Sequence, residues 1–102
     1  MIPQGSTPTV ILTFSDVDCT EAQKVYVTFN SGRRKLTKST DDSVSVTATE
    51  ISVYLSQAET LAFLTGTNSV EVQVNFMFAD GSRAVSEIAR FSVAKNLLDE
   101  VL

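Results

Sequence analysis

The stretch Val70-Glu71-Val72-Gln73-Val74-Asn75-Phe76-Met77-Phe78, with Ala79-Asp80-Gly81-Ser82 and the return from Arg83 to Val93, decides the fold. Val70, Val72, Val74, Phe76 and Phe78 fall on one face of an extended chain. Glu71, Gln73 and Asn75 fall on the other, with Met77 the exception. Side chains alternate across a strand, so this period of two marks a β-strand with one buried face. Asp80-Gly81 supplies the turn, because a type I′ turn needs positive φ and glycine adopts it without steric cost. The expectation is a long hairpin, covered by shorter strands from the rest of the chain.

A two-residue loop sets the pairing. Ala79 then faces Ser82, Phe76 faces Val85, Val72 faces Ala89 and Val70 faces Phe91. Apolar cross-strand pairs of this kind contribute roughly 0.2–1 kcal/mol each. Glu71 faces Arg90 on the solvent side, an opposite-charge pair. One fault remains: Val74 faces Glu87, with a carboxylate toward the core, while Ile88 points outward. A β-bulge near Ser86–Ile88 repairs this by shifting the alternation. A neighbouring subunit over the outer face would also account for Met77 and Ile88. The bulge is the favoured arrangement.

Working outward, five shorter segments alternate in the same way. Thr9–Phe14 carries Val10, Leu12 and Phe14 on one face. Lys24–Asn30 carries Val25, Val27 and Phe29 inward, with Tyr26 and Thr28 outward. Arg33–Ser39 has Leu36 as its only apolar anchor, and its charge places it at a sheet edge. Ser43–Thr47 alternates around Val44 and Val46, and Glu50–Leu55 around Ile51, Val53 and Leu55. Ser56-Gln57-Ala58-Glu59 then fits a capping box, which predicts a short helix near residues 57–64. Leu61 and Leu64 are expected toward the core, and Gly66 as the C-terminal stop. About seven strands with regular turns read as a single all-β sandwich, Ig-like or related. With one Cys and no Trp, the antibody-type Cys–Trp–Cys spacing is absent. Three parts are expected: residues 1–8 as an extended arm, 9–95 as the sandwich and 96–102 as an apolar tail.

The chain has 102 residues, 43% of them apolar and 20% charged, which suits one globular domain able to fold without disulfides or metal. Its net charge of −4 argues against nucleic acid or an anionic membrane as partner. There is no His, which removes the commonest general base and zinc ligand. The lone Cys19 reads as a small half-buried residue. No apolar run is long enough to span a membrane, and the N-terminus lacks the pattern of a signal peptide. Synthesis in the cytoplasm follows.

Candidate sites are sparse. Asp16, Asp18 and Glu21 could surround a hard cation, but the glycine and glutamate positions of an EF-hand loop are missing, so they read as a solvated loop. Asp41-Asp42 reads as a turn, since adjacent strand residues point to opposite faces. Arg33, Arg34, Lys35 and Lys38 form the only basic cluster, which could touch phosphate or an acidic neighbour, with Arg33 and Arg34 as the candidate contacts; edge protection and solubility is the favoured reading. Tyr26 and Tyr54 are outward and offer a shallow sugar- or protein-contact patch. The six Phe residues read as core. No Ser or Thr has an acid–base partner, so no catalytic residue, cofactor or metal ligand is assigned. The ends carry the remaining signal. Ile2 and Pro3 in the arm, and Leu97, Leu98, Val101 and Leu102 in the tail, are apolar where termini are ordinarily polar. They either complete their own domain or dock on a partner.

Thr7-Pro8-Thr9-Val10-Ile11-Leu12-Thr13-Phe14, the loop Asp18-Cys19-Thr20-Glu21-Ala22, the strand Val25-Tyr26-Val27-Thr28-Phe29 and the turn Asp80-Gly81-Ser82-Arg83 together resemble small tail-module proteins of tailed phages and prophages of Gram-positive bacteria. The same segments are similar to the N-terminal β-sandwich of phage upper-baseplate proteins. That resemblance implies a non-enzymatic component of the virion, present in repeated copies that contact one another and other virion proteins through edges and arms. The upper-baseplate domain is usually followed by a longer C-terminal region, whereas this sequence stops at Leu102. The reading from another class is a carbohydrate- or protein-binding module that works through Tyr26 and Tyr54.

Overall fold

The computed structural model describes residues 2–15, 18–32, 34–40 and 44–95. These residues form an all-β sandwich of a six-stranded and a three-stranded sheet. In chain order the strands are β1 (Ile2–Pro3), β2 (Thr9–Thr13), β3 (Ala22–Ser31), β4 (Arg34–Ser39), β5 (Val44–Val46), β6 (Glu50–Tyr54), β7 (Gly66–Phe78), β8 (Arg83–Val85) and β9 (Ala89–Ala94). A 3-10 turn (Cys19–Glu21) precedes β3, and one helix, α1 (Gln57–Leu61), follows β6. The large sheet runs β1-β9-β7-β3-β4 with β8 paired to β7, and the small one runs β2-β6-β5.

Nine strands stand where about seven were expected, for two local reasons. The return arm of the hairpin breaks into β8 and β9. Also, Ile2–Pro3, expected as part of an arm outside the sheets, pairs in parallel with Val93 and Ala94 of β9. Proline is tolerated there because β1 is an edge strand and needs no N–H on its open side. The arm is tied further. Gln4 Nε2 donates to Phe63 O at 2.9 Å, Thr60 Oγ1 donates to Ser6 O at 2.7 Å, and Leu55 N donates to Pro8 O at 3.0 Å.

The hairpin keeps its expected register far from the turn and differs near it. Val70 faces Phe91, Glu71 faces Arg90 and Val72 faces Ala89, with Arg90 Nη2 3.0 Å from Glu71 Oε2. Near the turn, Phe76 faces Ala84, and Val85 faces Asn75 and is 58% exposed. The loop has three residues rather than two. Phe78 N donates to Ser82 O, Gly81 N donates to Phe78 O, and Gly81 has φ +88°. This is the three-residue hairpin closed by a left-handed glycine. The extra loop residue shifts the return strand by one, and a bulge over Ser86–Ile88 shifts it back. There Ser86 N donates to Val74 O at 2.8 Å, and Ser86 Oγ accepts from Val74 N at 2.9 Å. Glu87 is left in solvent.

The core lies between the sheets. Val25, Val27, Phe29, Val70, Val72, Val74, Phe76 and Val93 from the large sheet meet Ile51, Val53 and Leu55, with Phe63 closing one end. Burying each such side chain stabilises by roughly 1.5–3 kcal/mol. Cys19 belongs to this core and is fully buried, not half-buried. Burial pushes its thiol pKa up, and the adjacent Asp18 carboxylate adds to the rise.

The capping box of α1 is present: Ser56 Oγ accepts from Glu59 N, and Glu59 Oε1 accepts from Ser56 N. The helix is shorter than expected, ending at Leu61 with Ala62 as its C-cap, so Gly66 is not its stop. The chain then turns to bury Phe63, which leaves Leu64 56% exposed rather than in the core.

Candidate contact surface

Three strands bear on the question of how this sandwich could meet another chain. β4 is one edge of the large sheet, opposite the two-residue β1, and carries Arg34 and Lys35 exposed, which discourages pairing. β5 is an edge of the small sheet but has only three residues. β2, at the other edge, is Thr9-Val10-Ile11-Leu12-Thr13, with no charge, proline or bulge.

The geometry of β2 follows from its pairing. Leu55 N donates to Pro8 O and Phe14 N donates to Thr49 O, in register with Val10 opposite Val53 and Leu12 opposite Ile51. In an antiparallel pair the bonded residues alternate, so the backbone groups of Thr9, Ile11 and Thr13 point away from β6. Among the described residues no strand pairs with that side. Ile11 is 56% exposed and lies diagonal to Tyr54, which is 47% exposed, on the outer face of the small sheet. Thr9, Thr13, Ser45 and Ser52 complete that face, and Glu50 is its one charged residue among those described.

Beside β2 a cleft of about 500 Å³ opens between the two sheets, lined by Leu12, Phe14, Val72, Val74, Phe76 and Ala84. Phe14 and Phe76 meet edge to face in its wall, with ring centroids 5.3 Å apart. A strand laid against β2 would place alternate side chains in this cleft and its backbone on the open edge. That is the geometry of strand addition.

The residues singled out in the sequence scatter. Tyr26 lies on the outer face of the large sheet under Lys24, whose Nζ is 5.7 Å from the ring centroid. Tyr54 lies on the outer face of the small sheet, so the two rings do not form one patch. Arg34 is exposed at the start of β4, and Arg33 lies outside the described residues. Lys38 does not join them: it is buried on the core-facing side of β4. Ile2 is half-buried in β1 and Pro3 exposed. Leu97, Leu98, Val101 and Leu102 lie outside the described residues, as do Asp16, Asp41 and Asp42. Asp18 caps the 3-10 turn, accepting from Thr20 N at 3.0 Å and Thr20 Oγ1 at 2.5 Å. Among the described residues no group of three His, Cys, Asp or Glu could hold a metal ion, and no helix is long and apolar enough to cross a membrane.

The unguarded edge was missed because Thr9–Phe14 reads as an ordinary strand. Its lack of any charge, against the charged Arg33–Ser39, was the available signal. Comparison with protein-family models, curated proteins and solved structures gives no match to this chain.

Proposed function

We propose that this protein is a non-enzymatic structural module that assembles with copies of itself and other virion proteins in a phage particle, near the tail or baseplate. The resemblance of its strand and turn segments to phage tail modules supports the setting. The observation that carries the assembly reading is β2, an uncharged edge strand beside an apolar cleft. Natural sheets blunt their free edges with charge, proline or a bulge, as β4 does with charge. An edge without such protection is suited to accept a strand.

Light scattering after size exclusion, across a concentration series, tests this. The expected result is a discrete oligomer that Ile11→Lys disperses without loss of folded structure. An 11.1 kDa monomer at every concentration would count against self-assembly. Quantitative mass spectrometry of purified particles tests the setting, through a fixed copy number per particle. The alternative, a carbohydrate- or protein-binding module working through Tyr26 and Tyr54, needs two separate contact faces.

A further inference from the structure

The open edge of β2 is complementary to itself. Thr9-Val10-Ile11-Leu12-Thr13 reads almost alike in both directions, with threonine at each end, an aliphatic residue beside each threonine and Ile11 at the centre. The free backbone groups are those of Thr9, Ile11 and Thr13, since Val10 and Leu12 direct theirs to β6. A second β2 can lie antiparallel to the first where free residues face free residues. Centred on Ile11, the pairing sets Thr9 opposite Thr13 and Ile11 opposite Ile11. Every free residue then sits in a hydrogen-bonded pair that exchanges two N–H···O bonds. Centred on Val10 or Leu12, one free residue falls beyond the end of the partner strand. A register shifted by a single residue sets free groups against groups already bonded.

We infer that β2 pairs with β2 of a second copy about a two-fold axis at Ile11, joining the two three-stranded sheets into one. The inference rests on β2 as the assembly edge and names what covers it. The side chains agree with this register. On the outer face the exposed Ile11 meets its own copy, with the Tyr54 of each copy diagonal to the pair. On the inner face Val10 and Leu12, both half-buried in one copy, meet Leu12 and Val10 of the other at the mouth of the cleft. Cross-strand pairs of this kind stabilise a sheet. Charge agrees as well. Glu50 lies opposite Thr13 and is the one charged residue on that outer face among those described. The two copies of Glu50 stand four residues apart along the strands and three strand spacings across. That is roughly 20 Å, at about 3.3 Å per residue and about 4.8 Å per spacing. The Debye length at physiological salt is about 8 Å, so no like charges oppose the pairing. The contact also closes: the joined sheet ends on each side in β5, a strand of three residues, and so short an edge does not propagate.

Pairing along five residues is small beside the roughly 20–30 residues a side of a stable complex, so the dimer is weak and forms at high concentration. Sedimentation equilibrium up to ~1 mM tests it, with a monomer–dimer equilibrium expected for the native protein. Ile11→Lys and Ile11→Glu set like charges face to face across the axis, and each should weaken the dimer by roughly 100-fold or more. Because residue 11 faces its own copy, an equimolar mixture of the two variants should restore a dimer with one chain of each. Ile11 is exposed, so both variants keep the fold, which thermal melts check. In the native protein, exchange of the Thr9, Ile11 and Thr13 amides should slow as concentration rises, while that of Val10 and Leu12 should not. If both variants disperse the dimer and their mixture stays monomeric, the copies meet in another register; the inference fails and assembly at β2 stands. A dimer that Ile11→Lys leaves intact would move the contact off β2 and overturn both. A native monomer at ~1 mM would also overturn both, and would leave the edge to a strand of another protein. Species larger than a dimer, or no change at the three amides, would overturn the closed two-fold pairing.

Discussion

Lys38 Nζ lies 2.7 Å from Glu59 Oε1 and joins the edge strand of the large sheet to the helix that follows the small one. The same Nζ donates to Tyr54 O at 2.8 Å, at the end of β6. Lys38 is 5% exposed, and the same Glu59 oxygen accepts from Ser56 N, so the helix cap and the inter-sheet tie share one atom. Burial would raise the Glu59 pKa, but the hydrogen bonds from Lys38 and Ser56 and the lysine charge outweigh it and hold the carboxyl below its ordinary 4.5.

Lys38→Met should therefore destabilise the domain. It keeps the apolar stem but removes the charged donor from Glu59 and from Tyr54 O. Hydrogen bonds to charged groups are worth about 1.5–3 kcal/mol. A change of 1 kcal/mol moves Tm by about 4–8 °C in a domain of this size, so a loss of roughly 10 °C is expected. The pH dependence has a fixed sign. A carboxyl whose folded pKa is lowered stabilises fully above its unfolded value and loses that contribution as pH falls through the folded one. The difference in Tm between the native protein and Lys38→Met should be full at neutral pH and shrink below 4.5. Thermal melts at a series of pH values measure both.

Ser86→Ala should cost more than an ordinary half-buried serine. Its hydroxyl takes the Val74 N–H where the bulge interrupts the ladder, and donates to Glu87 O at 2.9 Å. Alanine leaves that strand amide unpaired inside a sheet, a loss of roughly 1–3 kcal/mol. Urea unfolding gives the difference, and amide exchange at Val74 should speed up first.

The long hairpin was legible in the sequence because its alternation is strong, and the misplaced Glu87 was enough to reveal the bulge. The shift near the turn was not legible. Asp80-Gly81 suits a two-residue loop, but one left-handed residue after a type I turn suits Gly81 equally, and the choice depends on how β8 packs. Lys38 was hidden for another reason. It shares a strand with Arg34 and Lys35 and reads as their equal, whereas its burial depends on Glu59, which reaches it only when α1 caps the sandwich. The arm failed in the same way: Pro3 argues against a strand, and only the open side of β9 makes one possible. The β2 edge is visible in composition once its neighbours are known.

Gly81→Ala tests the loop itself. No atom lies within 4 Å of a Cβ built there, so any cost is conformational. Left-handed backbone costs an L-residue roughly 1–2 kcal/mol, and asparagine tolerates it better. The expected order of stability is Gly81, then Gly81→Asn, then Gly81→Ala, read from chemical denaturation. Equal stability of all three would mean the loop does not hold this φ.

The N-terminal segment gives the widest contrast between the two readings. As a free arm, residues 1–7 could be removed without effect. In the structure residues 2–7 cover the open edge of β9 and meet α1 and the turn after it: Thr60 Oγ1 donates to Ser6 O, and Gln4 Nε2 donates to Phe63 O. Thr60 is fully buried, so its hydroxyl loses a partner that water does not readily replace. At about 1 kcal/mol for each net hydrogen bond, with the β1–β9 pairing added, deletion of residues 1–7 should cost roughly 3 kcal/mol. Thr60→Val isolates one contact and should cost about 1 kcal/mol of the same loss. If the deletion melts at the native temperature while Thr60→Val does not, the hydroxyl acts through Gln57 O, its other acceptor at 3.2 Å, and not through the arm.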